Sequence, residues 1–235
     1  MLTMPVKGPE RVLGRVGVIG DVHCEDDLLS RLLAYFDRAG LDAVLCVGDL
    51  ADGAGDINRT CRLLQEANVH CVTGNHDRWL LTDELRDDPE ATPTRLLNRE
   101  TRAFLESLPS TMVFETRAGK LLLCHGTGDD DMLAVKRDHL RYDLESNFAL
   151  QRLLQQGKYR FLVGGHTHQT MVRRVRDLIL INAGTLHRGY AQTAGIIDFE
   201  THEVMFYDLT GGQVQHGETV PFPDQDELSS RVLRL

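Results

Sequence analysis

Val72-Thr73-Gly74-Asn75-His76-Asp77 closes a short apolar run with an amide, an imidazole and a carboxylate side by side. Gly74 permits a sharp turn where a Cβ would be in the way, and the turn presents Asn75 and His76 in different directions from one platform. In isolation this is ordinary turn chemistry, and a single His is more often a hydrogen-bonded structural residue. Recurrence gives the stretch its meaning. Val12 to Ile19 reads as a strand delivering Gly20-Asp21-Val22-His23, and Ala43 to Val47 is a continuous apolar run ending in Gly48-Asp49. Lys120 to Cys124 opens into His125-Gly126, and Phe161 to Val163 feeds Gly164-Gly165-His166-Thr167-His168. Each of these apolar segments, like Val69 to Val72, ends in glycine together with a side chain that can ligate a metal or move a proton.

Between the first three segments lie two helices. Asp26 is a suitable cap for the first, in which Leu28, Leu29, Leu32, Leu33 and Phe36 recur at helical spacing until Gly40 stops it. The second runs from about 56 to 67, with Ile57, Cys61 and Leu64 on one stripe. Strand, helix, strand, helix, strand predicts a parallel sheet whose ligands bind at the carboxyl ends of the strands, where Asp21, His23, Asp49, Asn75 and His76 would gather. The charged stretch from Arg78 to Pro109, interrupted by Pro89 and Pro93, reads as an insertion of one or two helices shaping access to the site. Its Arg95, Arg99 and Arg102, at helical spacing, either offer guanidinium groups to a second phosphate or an anionic leaving group, or line a solvated face.

Thr111 to Thr116 and Lys120 to Cys124 read as a hairpin joined by Arg117-Ala118-Gly119. Tyr142 to Gln155 reads as one long amphipathic helix ended by Gly157. Strands around Met171 to Val175, Leu178 to Asn182, Gly195 to Phe199 and Val204 to Leu209 follow with short turns, which predicts a largely antiparallel second half. Asp129, Asp130 and Asp131 are read as a solvated acidic run rather than as ligands. The tail from Gly211, ending in Val232-Leu233-Arg234-Leu235, carries no assignable chemistry.

A chain of 235 residues suits one domain spanning 1–235, with the insertion at about 78–109 and a short C-terminal tail. The apolar fraction of 42% and charged fraction of 26% are those of a globular protein, and no apolar run approaches the roughly 18 residues of a membrane span. The N-terminus lacks a basic segment followed by an apolar one, so the expected location is cytoplasmic. Five cysteines without paired spacing are read as buried thiols, Cys24 and Cys124 included. The net charge of -9 disfavours long nucleic acids as partners.

The segment ends together offer two aspartates, one asparagine and four or five histidines. Imidazole with carboxylate and no thiolate suits borderline divalent ions, Mn, Fe, Zn, Co or Ni, over Ca or Mg. In His166-Thr167-His168 the two imidazoles point the same way on a strand, whereas a twist at Gly165 could aim them at adjacent metals. So many ligands exceed the needs of one ion, and two ions need a shared carboxylate, for which Asp49 is the natural candidate.

Asp21-Val22-His23, Gly48-Asp49, Gly74-Asn75-His76-Asp77, His125-Gly126 and Gly165-His166-Thr167-His168 resemble the five ordered motifs of the calcineurin-like metallophosphoesterases. Asn182-Ala183-Gly184-Thr185 is similar to the Asn-x-Gly-Ser/Thr turn of the small bacterial, phosphodiesterase-like members. The resemblance implies an α/β fold, an αββα sandwich of two mixed sheets flanked by helices. It implies two divalent transition-metal ions, Mn foremost, one on Asp21, His23, Asp49 and His168 and the other on Asp49, Asn75, His125 and His166. It further implies that a hydroxide between the ions attacks the phosphorus of a small phosphorylated substrate, a phosphodiester before a monoester, while His76 neutralises phosphoryl charge and protonates the leaving oxygen. Asp77 either orients His76 or caps the next helix. Gly48-Asp49-Leu50-Ala51-Asp52-Gly53 lacks the arginine of the protein phosphatases, which weighs against protein phosphatase and dinucleotide tetraphosphatase activities. The alternatives are a non-catalytic metal-binding interaction scaffold, or a nucleotide or protein phosphatase.

Overall fold

Alternation along the apolar segments decides which layers form. In the computed structural model, which describes residues 6, 7, 12–224 and 226, the first half contains β1 (Val6–Lys7), β2 (Arg15–Ile19), α1 (Asp26–Arg38), β3 (Ala43–Cys46), α2 (Ile57–Glu66) and β4 (His70–Cys71). The middle contains α3 (Asn75–Thr82), α4 (Arg99–Ser107), β5 (Thr111–Thr116), β6 (Gly119–Cys124), α5 (Arg141–Ser146) and α6 (Phe148–Gln156). Six strands complete it, β7 (Phe161–Gly164), β8 (Thr170–Val175), β9 (Leu178–Ala183), β10 (Thr193–Asp198), β11 (Glu203–Asp208) and β12 (Gln215–Pro221).

The strands form two six-stranded mixed sheets, ordered β12-β11-β10-β2-β3-β4 and β1-β5-β6-β7-β9-β8. Val16 and Val18 on β2 and Leu45 on β3 face Leu121, Phe161 and Ile181 of the other sheet, forming the central core. The intervening positions turn outward: Ile19 and Cys46 pack under Leu29, Leu32 and Phe36 of α1 and Leu64 of α2. On the far side Leu122, Leu162 and Leu180 pack under Leu144 of α5 and Leu150 of α6. The period of two along each strand therefore yields four layers, helix, sheet, sheet, helix. This is the α/β sandwich of two mixed sheets that the motifs imply.

Local details differ from the sequence reading. Asp26 does not cap α1; the cap position is Glu25, and Asp26 instead accepts from Arg59 Nη1 at 2.6 Å. Asp56 does cap α2, accepting from Asn58 N at 2.8 Å. The expected helix from Tyr142 to Gln155 is two helices, because Asn147 leaves helical geometry and its side chain accepts from Leu150 N, starting α6 afresh. The second half is less antiparallel than expected: β6, β7 and β9 run parallel to one another. Every residue of β7 and β9 is buried, as in strands covered on both faces. The tail contributes β12, a strand with exposed residues that pairs with β11, while Val232 to Leu235 lie outside the described residues. All five cysteines are free and buried. Among the described residues no helix is long and apolar enough to cross a membrane.

Candidate metal centre

The carboxyl ends of β2, β3 and β4 in one sheet and of β6 and β7 in the other open onto the same edge, and the functional side chains meet there. Asp21, His23, Asp49 and His168 place ligand atoms within 4.8 Å of one another, and Asp49, His125 and His166 form a second such group. Asn75 joins the second, its Oδ1 lying 2.9 Å from both His125 Nε2 and His166 Nδ1. Asp49 Oδ2 is 3.2 Å from His125 Nε2 and 4.0 Å from His23 Nε2, so this carboxylate stands between the groups. His23, Asp49, His166 and His168 all have positive φ, between 47° and 67°. Backbone held in the left-handed region re-aims side chains that a regular strand would direct elsewhere, and such strain collects at functional sites. For His166 and His168 this resolves the sequence ambiguity: the chain twists, and each imidazole joins a different group.

Glycine is needed where the chain passes these carboxylates. A Cβ on Gly165 would collide with Asp21 Oδ1, and one on Gly74 with Asp49 Oδ1. Carbonyl partners then fix the tautomers. His23 Nδ1 donates to Asp52 O at 2.8 Å and His125 Nδ1 to Val47 O at 2.9 Å, which directs both Nε2 atoms into the site. Asn182 of the Asn-Ala-Gly-Thr turn donates to Gly165 O, and Thr185 Oγ1 to Asp21 O, so that turn supports the loops from behind.

A divalent cation fits this donor set. Asp21 Oδ2 is fully buried without a hydrogen bond, although His168 Nε2 approaches it to 3.0 Å out of line. His23 Nε2 and His168 Nε2, two imidazole nitrogens, face each other at 3.1 Å. Converging acceptors of this kind call for a cation between them. The electrostatics agree. Burial opposes a charge on His125, yet Asp49 and Asp21 more than offset it and push its pKa up to about 10. Burial likewise opposes ionisation of Asp49, and the surrounding imidazoles, His125 first, hold its carboxyl well below the usual range.

The Calcineurin-like phosphoesterase superfamily domain matches residues 15–202, a span containing every residue of both groups. The chain belongs to that superfamily. A probable metallophosphoesterase of Methanothermobacter thermautotrophicus is 27% identical over 175 residues, which cover 72% of this chain and 76% of that protein. An uncharacterized protein of Methanocaldococcus jannaschii is 25% identical over 121 residues, 48% of this chain and only 50% of its own length. Among solved structures, a metallophosphoesterase from Sphaerobacter thermophilus superposes with a TM-score of 0.61 at 20% identity, covering 88% of each chain. As in the superfamily generally, the clusters fit a centre of two metal ions.

His76 sits in the first turn of α3, next to Asn75. Its Nδ1 lies 2.7 Å from Asp52 Oδ2. Burial disfavours the imidazolium, but the Asp52 hydrogen bond and the Asp49 charge outweigh it, and the pKa of His76 is raised. Asp77 does not orient this ring. Its carboxylate accepts from the backbone N–H of Leu50, Ala51 and Gly74, tying the β3 loop to the start of α3. Burial and the neighbouring Asp49 push the Asp77 pKa up to about 7.

Sequence reading missed Asp52 and Arg86. Arg86 grips both oxygens of Asp52, at 2.7 and 2.9 Å, and Thr92 N donates to Asp52 Oδ1, so the 83–92 loop is latched to the site through one carboxylate. Asp52 stands three residues after Asp49, a spacing that could have flagged it; the arginine arrives from a distant loop. Arg95, Arg99 and Arg102 do not line the cavity beside the site. Arg95 and Arg99 are exposed, and Arg102 pairs with Glu106 one turn on, so the solvated-face alternative holds. Asp129, Asp130 and Asp131 also stay apart from both groups, Asp131 being gripped by Arg78 at 2.7 and 3.0 Å. The cavity has a volume of about 480 Å³ and is bounded by His76, Trp79, His168, His187 and Tyr190. His187, also missed, lies two residues beyond Thr185, with its ring 4.9 Å from that of His23.

Proposed function

We propose that this chain is a phosphoesterase dependent on two divalent metal ions and directed to phosphodiesters. Asp21, His23, Asp49 and His168 would hold one ion, and Asp49, Asn75, His125 and His166 the other, with Asp49 shared. The observation that carries this reading is the convergence of two buried ligand groups on one carboxylate while Asp21 Oδ2 has no hydrogen bond of its own. The imidazole and carboxylate donors suit Mn, with Fe, Ni, Co or Zn as alternatives. Bound there, such ions supply Lewis acidity at phosphoryl oxygens and acidify water.

The protein's own part centres on His76. Asp52 accepts from Nδ1–H, which turns Nε2 toward the cavity that His76 lines, where it carries a proton in the imidazolium form. With its pKa raised, His76 keeps a proton to give to the leaving oxygen. Preference for a diester follows from charge. Among the described residues the cavity wall carries no lysine or arginine, so a dianionic monoester would have only the metal ions and His76 to neutralise it, and a monoanionic diester asks for less.

The experiment is metal analysis of the Mn-saturated protein beside hydrolysis of bis(p-nitrophenyl) phosphate and p-nitrophenyl phosphate. The expected result is two ions per chain, Mn-dependent turnover and the higher kcat/KM on the diester. Asp49→Ala should lose more metal than loss of any single histidine, since it removes a ligand from both ions. One ion at saturation would refute the dinuclear reading, and a strong monoester preference would refute the substrate assignment.

A further inference from the structure

Apart from its histidines, the cavity beside the metal centre is lined among the described residues by charged groups of one sign. Asp52, Asp87, Asp88 and Glu90 line it together with the rings of Trp79 and Tyr190. The nearby cations are committed elsewhere: Arg86 to Asp52, Arg78 to Asp131 and Arg188 to Glu25, where the contacts are 2.6 and 2.9 Å. Among the described residues, no arginine or lysine forms an ion pair with Asp87 or Asp88. Glu90 meets His187 Nε2 at 3.1 Å. His187 Nδ1 accepts the Gly189 N–H at 2.9 Å, so Nε2–H is the group that donates to Glu90. Tyr190 stands edge-on to His168 at 4.4 Å and Trp79 edge-on to His76 at 4.8 Å, so one aromatic ring lies beside the metal centre and the other beside the proposed acid.

These features sort the groups that could occupy the cavity. A second phosphate or a carboxylate would be repelled by Asp87 and Asp88, with Glu90 beside them. An uncharged alkyl group would gain the aromatic contact alone. A quaternary ammonium gains both, since aromatic faces and carboxylates attract it together. Arg78 already lies over the Trp79 ring, 5.8 Å from its centroid, so Tyr190 and the carboxylates carry most of that attraction.

We propose that the cavity selects a leaving alcohol bearing a permanent positive charge, so that the substrate is a zwitterionic phosphodiester whose phosphate faces the metal centre and whose ammonium faces Asp87, Asp88 and Glu90. This rests on the phosphoesterase reading above. In the reaction, water adds to phosphorus as a new P–O bond, the P–O bond to the ammonium alcohol breaks with its electron pair on oxygen, His76 gives its proton to that oxygen, and the proton lost by the water passes to solvent, from which His76 is reprotonated. Nothing is oxidised or reduced.

The test compares methyl phosphocholine with its uncharged-tail isostere, methyl 3,3-dimethylbutyl phosphate, on the Mn-loaded full chain, with products followed by phosphorus NMR. The expected result is a kcat/KM at least about tenfold higher for the choline ester, corresponding to about 1.4 kcal/mol, with methyl phosphate as product. In Asp87→Asn/Asp88→Asn the ratio between the two substrates should fall close to one. Trp79 is the sole tryptophan, so its fluorescence reports occupancy directly. Choline should give a saturable change at concentrations where 3,3-dimethylbutanol and adenosine give none. Equal kcat/KM on the two esters, phosphocholine as the main product, or a titration by either neutral compound as strong as that by choline would overturn the charge selection while leaving phosphoester hydrolysis standing. No turnover of these esters or of bis(p-nitrophenyl) phosphate, despite two bound ions, would overturn the phosphoesterase reading and this proposal with it.

Discussion

Asp52→Asn separates positioning of His76 from metal binding. The substitution keeps the size of the side chain and the Asp52 carbonyl that holds His23 Nδ1 at 2.8 Å, so the metal groups should remain intact. What it removes is the negative partner 2.7 Å from His76 Nδ1. A hydrogen bond to a charged group in such a partly enclosed setting contributes about 1.5–3 kcal/mol, which corresponds to about 10- to 150-fold in kcat if the bond is needed in the transition state. That loss should appear with an alkyl diester, whose departing oxygen needs a proton, and should be smaller with an activated aryl diester. Because Asp52 raises the pKa of His76, losing it lets the ring deprotonate at lower pH, and the descending alkaline limb of the kcat profile should move to lower pH. Arg86→Gln is the control. It leaves the carboxylate in place and less neutralised, so His76 should remain basic and the alkyl-diester rate should fall less. Stopped-flow or discontinuous rates from pH 5 to 9, beside metal content, make the measurement. Equal loss on both substrates, or loss of an ion in Asp52→Asn, would refute the role given to the Asp52 and His76 pair.

Two further changes probe the frame. Gly165→Ala should drive a methyl group into Asp21 Oδ1 and weaken the first metal group while the chain still folds; reduced metal stoichiometry with an unchanged far-ultraviolet circular dichroism spectrum is the expected result. His70, half-buried beside Phe114, has its pKa lowered by burial. Above its unfolded value of 6.5 it contributes no pH dependence. As pH falls below that value the unfolded chain takes up the proton first, so stability declines until the folded value is passed. Urea unfolding at pH 7.5 and 5.5 should show a smaller decline in His70→Gln than in the wild type, and identical declines would contradict it.

Much of this protein was written in one dimension, because its site is built from strand ends. A strand that must be buried on both faces reads as an apolar run, and the glycine and ligand following it read as the place where the chain leaves the sheet. Asp21, His23, Asp49, Asn75, His125, His166 and His168 were therefore visible as separate signals, and parallel strands open onto a common edge wherever the loops between them wander. Tertiary structure alone decided the pairings that cross the molecule. The tautomer of His125 is set by Val47 O, 78 positions away, and Asp52 is gripped by an arginine 34 positions on in the 83–92 loop. Asp77 could orient His76 or cap the next helix as far as the sequence went; in the fold its carboxylate takes the backbone N–H groups of Leu50, Ala51 and Gly74, and Asp52 holds the ring instead. The break at Asn147 and the strand made by the polar tail likewise depend on what lies beside them, since neither carries a period of its own. Ligand identity is a property of residue type and of local backbone, which the sequence carries; the charge on a cavity wall depends on which carboxylates have lost their cations to other partners, and only the folded chain determines that.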